Sequence, residues 1–206
     1  MRTGFLLSLA VLVVIGGAIA SRRTKGSDSP LWQRDSSQQL AALPLPLPDS
    51  LRAGATLVGV DANKKRVTLR GGSNGVVCTI WVPGEDSFDV RCYQQSFMPV
   101  IDERWKHSAA GASYRVMQHD LDSAISAKAI VLPDHPTAGY RMLGPARAFD
   151  AKRGRVTKEI EQWESIHIPY RTGAEMGLPS EEQGGSLFVM SPGTYWAHVM
   201  IMHPQR

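Results

Sequence analysis

The first strongly patterned stretch of the chain is apolar but for Ser8. Residues 5–15 follow Arg2 and lead through Gly16 and Gly17 to Ala18-Ile19-Ala20. A short positive segment, an apolar core of about 7–15 residues and small residues at −3 and −1 form the order of a secretory signal peptide. Cleavage is expected after Ala20, giving a periplasmic or secreted protein. The alternative is an uncleaved anchor over residues 5–20, because spanning helices begin near about 17 residues. Arg22, Arg23 and Lys25 follow the run, and basic residues favour the cytoplasmic side.

Residues 21–50 are rich in Ser, Gln, Arg and Pro and contain Leu43-Pro44-Leu45-Pro46-Leu47-Pro48. Proline fixes φ and removes a donor, so alternating prolines predict an extended polyproline-like tether. A single folded domain is then expected over residues 51–206, a length that suits one domain.

Within that domain the pattern reads mainly as strands. Residues 56–61 and 66–70 are β-rich and flank the polar turn Asp61-Ala62-Asn63-Lys64-Lys65. A related stretch, Asp150-Ala151-Lys152-Arg153-Gly154-Arg155-Val156-Thr157, reads as the same turn chemistry used twice. Cys78 and Cys92 lie in residues 76–82 and 88–93, on either side of Pro83-Gly84-Glu85-Asp86-Ser87. If the hairpin is symmetric about Glu85, partners sum to 170, and 78 + 92 = 170 sets the two sulfurs opposite each other. That register gathers Val76, Ile80, Val82, Phe88 and Val90 on the cysteine face and leaves Asp89 and Arg91 on the other. A Cys78–Cys92 disulfide is expected, consistent with an oxidising compartment.

A helix capped by Ser96 is expected next, with Pro99 in its first turn, Met98, Ile101 and Trp105 on one face, and Gly111 after its end. A second is expected over residues 120–130, before Pro133. Residues 140–143, 163–169, 187–190 and 195–202 return to β. Hairpins interspersed with helices predict an α+β domain built mainly on an antiparallel sheet.

Composition narrows the classes of function without choosing one. The 206 residues are 43% hydrophobic, 20% charged and 7% aromatic, as in a globular protein. With 23 Lys and Arg against 19 Asp and Glu the net charge is +4, too mild to indicate a nucleic-acid partner. Gly71-Gly72-Ser73-Asn74-Gly75 fits GxSxG formally. A nucleophile elbow needs a helix after it, whereas a strand is expected here, so Ser73 is read as part of a turn. HExxH, GxxxxGK[ST], GxGxxG and paired CxxC motifs do not occur.

Candidate chemistry concentrates near the C-terminus. Strand alternation places His198, Met200 and Met202 on one face. Imidazole and thioether donors suit Cu(I), which makes copper handling one reading. His198 with Glu175 and Tyr170 would supply acid–base groups for a hydrolytic enzyme. His167 is a weaker candidate of the same kind.

Gly54-Ala55-Thr56-Leu57-Val58-Gly59, Val77-Cys78 with Cys92-Tyr93, Pro169-Tyr170 with Thr172, Glu175 and Gly177-Leu178-Pro179, and Pro192-Gly193-Thr194 with Ala197-His198 and Met200 resemble a group of uncharacterised exported bacterial proteins. The resemblance implies bacterial export and one domain, and supplies no activity. The chain departs from the pattern after Tyr93, where Gln94 and Gln95 stand in place of a His and an acidic residue. With no complete catalytic set, the leading expectation is a noncatalytic domain that binds a small molecule or a protein partner without a cofactor. It would contact a membrane only through an uncleaved N-terminal segment.

Overall fold

Val76 to Ile80 and Ser87 to Gln94 pair in the register that the cysteine arithmetic predicts. Val76 faces Gln94, Cys78 faces Cys92 and Ile80 faces Val90, and the two cysteines form a disulfide with Cα atoms 3.9 Å apart. The computed structural model describes residues 30–81, 86–180 and 185–202. The expected signal or anchor segment and Val82 lie outside the described residues. Among the described residues no helix is long and apolar enough to cross a membrane.

The described residues form ten strands: β1 (Thr56–Val60), β2 (Arg66–Arg70), β3 (Val76–Ile80), β4 (Ser87–Gln94), β5 (Thr137–Pro145), β6 (Phe149–Asp150), β7 (Arg155–Val156), β8 (Glu161–His167), β9 (Leu187–Met190) and β10 (His198–Met202). Eight make one sheet in the order β2-β1-β3-β4-β5-β8-β10-β9, and β6 with β7 forms a small separate hairpin. Every pairing is antiparallel except β1 with β3. The domain is therefore α+β on a mostly antiparallel sheet.

The parallel pair arises because the chain passes from β2 back across the end of β1 through residues 71–75. Gly72 makes that crossing possible: a Cβ there would lie 2.3 Å from the Gly54 carbonyl oxygen. Ser73 sits in this crossing, its amide donating to Gly54, so the GxSxG match is a turn, as expected. The two Asp-led turns also share one chemistry. Asp61 accepts from the amides of Asn63 and Lys65, and Asp150 accepts from those of Lys152 and Arg153.

Two layers of helix cover opposite faces of the sheet. On one face, Cys78, Ile80, Phe88, Val90, Cys92 and Met142 pack with Trp32, Leu43 and Leu47. On the other, Val77 and Tyr93 pack with Phe97, Val100, Ile101, Leu121 and Tyr195. The first layer corrects the tether reading. Residues 31–52 form α1 (Leu31–Arg34), α2 (Ser36–Ala42) and α3 (Asp49–Arg52), and the Leu-Pro repeat between α2 and α3 is a run of turns. The amide of Leu45 donates to the Ala42 carbonyl and that of Leu47 to the Pro44 carbonyl. Prolines suit the early positions of such turns, and the leucines between them supply the amides and enter the core. Leu43 and Leu47 are fully buried, and Arg52 caps the carbonyls of Leu45 and Leu47. Gln39 fastens this layer to β1 by donating to the carbonyl of Val60 and accepting from its amide.

The second layer is α4 (Met98–Ala109) and α5 (Tyr114–Ser126). Ser96 lies in a 3-10 turn before α4 and does not cap it, while Pro99 occupies its first turn as expected. Helix α5 starts six residues earlier than its expected 120, because Ser113 accepts from the Val116 amide and sets the N-terminus. A left-handed Lys128 follows its end.

The disulfide bridges residues 14 apart, and closing a loop of that size contributes about 3 kcal/mol. Reduction under native conditions should lower the denaturation free energy by about that amount. Unreduced protein should show no alkylatable thiol; two alkylated cysteines would contradict the bridge.

Candidate functional site

On the face covered by α4 and α5, the helices and the sheet enclose a hollow. The side chains there stand on three successive rungs. Arg91 of β4 faces Arg141 of β5, which faces Trp163 of β8. Two residues along, Tyr93 faces Gly139, Gly139 faces Ser165, and Ser165 faces Met200 of β10. On the last rung His167 faces His198, which faces Met190 of β9. Strand alternation puts all of them on one side of the sheet. Together with Trp81, Arg104 and Trp196 they line a cavity of about 380 Å³, within the range of small-molecule sites.

Gly139 makes room beneath the middle rung. A Cβ there would lie 2.6 Å from Ser165 Oγ and 3.1 Å from both His167 Nε2 and Tyr93 Cε1, so only glycine lets these side chains converge.

At one end Asp89 lies between two arginines. Arg91 donates through Nε and Nη2 at 2.9 and 2.8 Å, and Arg141 through the same atoms at 2.9 and 2.7 Å. Burial pushes the Asp89 carboxyl up, but its bonds and charge contacts with Arg91 and Arg141 outweigh burial and hold it below the usual range. Each arginine also stacks on an indole: Arg91 is 3.9 Å from the Trp81 ring centroid and Arg141 is 4.8 Å from that of Trp163. Such contacts fix the guanidinium planes.

At the other end Arg104 of α4 stacks 3.9 Å from the centroid of Trp196. It is 6% exposed. Its Nη1 donates to Tyr195 Oη at 2.8 Å and Gln118 Oε1 at 3.2 Å, while its Nε is buried without a partner. Among the described residues no carboxylate pairs with Arg104, and none lines the cavity.

The histidines lie beside it. His167 is 1% exposed, packed against Phe97, Trp196 and His198 with centroids 4.4, 4.8 and 5.1 Å away. Its Nε2 is 3.4 Å from Ser165 Oγ, and its Nδ1 is buried without a partner. The Trp196 carbonyl accepts from His198 Nδ1 at 2.6 Å, which fixes the tautomer and leaves Nε2 as the basic nitrogen. Burial first, then the charges of His198 and Arg104, hold His167 well below its ordinary value. Burial also lowers His198 and outweighs its bond to the Trp196 carbonyl, with Arg104 lowering it further.

The residues expected from sequence divide. His198 and Met200 line the cavity, and Met202 stands on the Trp163 rung, four residues or about 13 Å along the strand from His198. The three copper candidates therefore do not converge, although His167 and Met190 do stand near His198. The three guanidiniums around the same space make it unfavourable for a cation. Among the described residues no group of three His, Cys, Asp or Glu converges as a metal site.

Glu175 and Tyr170 lie elsewhere. Glu175 closes the capping box of a short helix, α6 (Gly173–Met176), by accepting from Thr172. Its carboxylate is exposed and held low by that backbone bond and the Thr172 hydroxyl. Tyr170 is 46% exposed in a left-handed conformation, with its amide bonded to the Thr194 carbonyl. The structure does not assemble His198, Glu175 and Tyr170 into one site. What sequence reasoning missed are the three arginines and their indoles. The available signal was the parity of β4, which set Asp89 and Arg91 on the face opposite the disulfide.

In comparisons with family models, curated proteins and solved structures, the chain shows no match.

Proposed function

We propose that this protein is an exported, noncatalytic binding domain whose cavity holds a small organic anion. Arg104 carries the reading. A buried guanidinium without a counter-charge is costly, and its unpartnered Nε adds the cost of an unmade hydrogen bond. A carboxylate or other oxyanion bound in the cavity would supply the missing counter-charge. Arginine is suited to this because its planar fork bonds oxyanions in pairs. The stacked indoles hold the arginines in place before binding, which lowers the ordering cost of association. Export rests on the order of residues 1–20 and is compatible with the disulfide.

The histidines give the reading a pH signature. With folded values below about 6.5, they bind protons more readily in the unfolded chain, so stability of the empty protein should fall as pH drops below about 6.5. A bound anion supplies the partner that the imidazolium forms lack. Its affinity should therefore rise from pH 7.5 to 5.5, with proton uptake.

A thermal-shift screen of small organic acids tests the reading. At a ligand concentration one hundred times Kd the stabilisation is about 2.7 kcal/mol, or roughly 5–10 °C for a domain of this size. Arg104→Gln should abolish most of the shift. No shift with any acid, or equal shifts in the variant, would contradict the proposal.

A further inference from the structure

The cavity has two cationic ends, and they are separate. At the first, Arg91 and Arg141 share Asp89, whose two oxygens accept all four bonds. Each guanidinium has five N–H groups and spends two on Asp89; Arg91 also bonds the Tyr93 hydroxyl, so three remain on Arg141 and two on Arg91. At the second end, Arg104 stands with Trp196 and His167. Between them runs the rung of Tyr93, Gly139 and Ser165, whose side chains are uncharged. The Arg141 and His167 rungs are four residues apart along β5 and β8, or about 13 Å at the backbone. The charges sum to three arginines less one aspartate, 3 − 1 = +2, with one residual charge at each end.

We infer that the ligand is an elongated dianion with an acid group at each end, a dicarboxylate, one carboxylate bonded by Arg91 and Arg141 and the other by Arg104. A phosphomonoester also carries close to two charges, but concentrates them at one point and would leave one end of the cavity unneutralised. The uncharged middle rung, with Met200 beside it, suits a short hydrocarbon spacer. This inference rests on the anion-binding reading and adds the number and spacing of the acid groups.

Calorimetric titration of the wild-type protein at pH 6.5 provides the test. The probes are the straight-chain dicarboxylates from malonate to suberate, the monocarboxylates of equal carbon number, and glycerol 1-phosphate. The expected result is a maximum at an intermediate length, with affinity about tenfold or more above the matched monocarboxylate, because the second acid group adds its own charge-assisted bonds. In Arg104→Gln the dicarboxylate should fall to the level of the monocarboxylate. Arg141→Lys keeps a charge beside Asp89 but loses the fork, and should weaken the dicarboxylate while leaving the Arg104 end intact. Monocarboxylates binding as well as every dicarboxylate, or glycerol 1-phosphate binding more tightly than all of them, would overturn the dicarboxylate inference and leave anion binding standing. Failure of every anion to bind would overturn both.

Discussion

Replacing Asp89 by Asn should destabilise the protein by about 3–5 kcal/mol, because it leaves the buried Arg91 and the half-buried Arg141 without their counter-charge. Arg91 is 9% exposed and Asp89 7%, so water cannot take over the lost role. The amide could accept at one atom only and would present an NH2 group toward a guanidinium. The loss depends on the stranded charges more than on the removed bonds. Replacing Asp89, Arg91 and Arg141 together by apolar residues of similar volume should therefore cost less than Asp89→Asn alone. Chemical denaturation of the two variants decides this. A cost below about 1 kcal/mol for Asp89→Asn would show that the carboxylate is not the counter-ion of a buried pair.

Trp32→Ala is the second large effect, at about 3–5 kcal/mol. Trp32 is 3% exposed and packs on Phe88 and Phe149 with centroids 5.1 and 6.0 Å away, while those two rings are 5.2 Å from each other. Truncation opens a cavity between α1 and the β4 strand that carries the disulfide. Because Phe88 and Val90 share a strand with Asp89 and Arg91 on its opposite face, the N-terminal helices support the back of the candidate site. A fragment of residues 51–206 should for the same reason expose the face around Phe88, Val90 and Cys92 and fail to unfold cooperatively. Near-wild-type melting of Trp32→Ala would show this helical layer to be peripheral.

The parts of the fold that sequence made legible are those fixed by local rules. The hairpin register followed from two cysteines and one loop, and the face shared by His198 and Met200 followed from strand period. The helices at residues 31–52 escaped because the Leu-Pro repeat satisfies an extended reading locally; only burial of Trp32, Leu43 and Leu47 against β3 and β4 selects turns. The cavity escaped for a related reason. Strand parity assigns Asp89 and Arg91 only to the face opposite the cysteines; that this face is covered follows from β4 being an interior strand of an eight-stranded sheet. The stacking partners of Arg91, Arg141 and Arg104 are 10, 22 and 92 positions away in sequence, beyond any motif. Glu175 looked available to His198 because its capping role at Thr172 depends on where α6 begins.

The claim that Arg104 awaits an anionic ligand can be observed at the nitrogen concerned. In a 15N-labelled sample, the arginine Nε–H resonance that disappears in Arg104→Gln identifies this side chain. On addition of glutarate it should shift saturably, with the same midpoint as the calorimetric titration. An Arg104 resonance that stays in place while glutarate binds, or that moves only in proportion to ionic strength, would contradict the account.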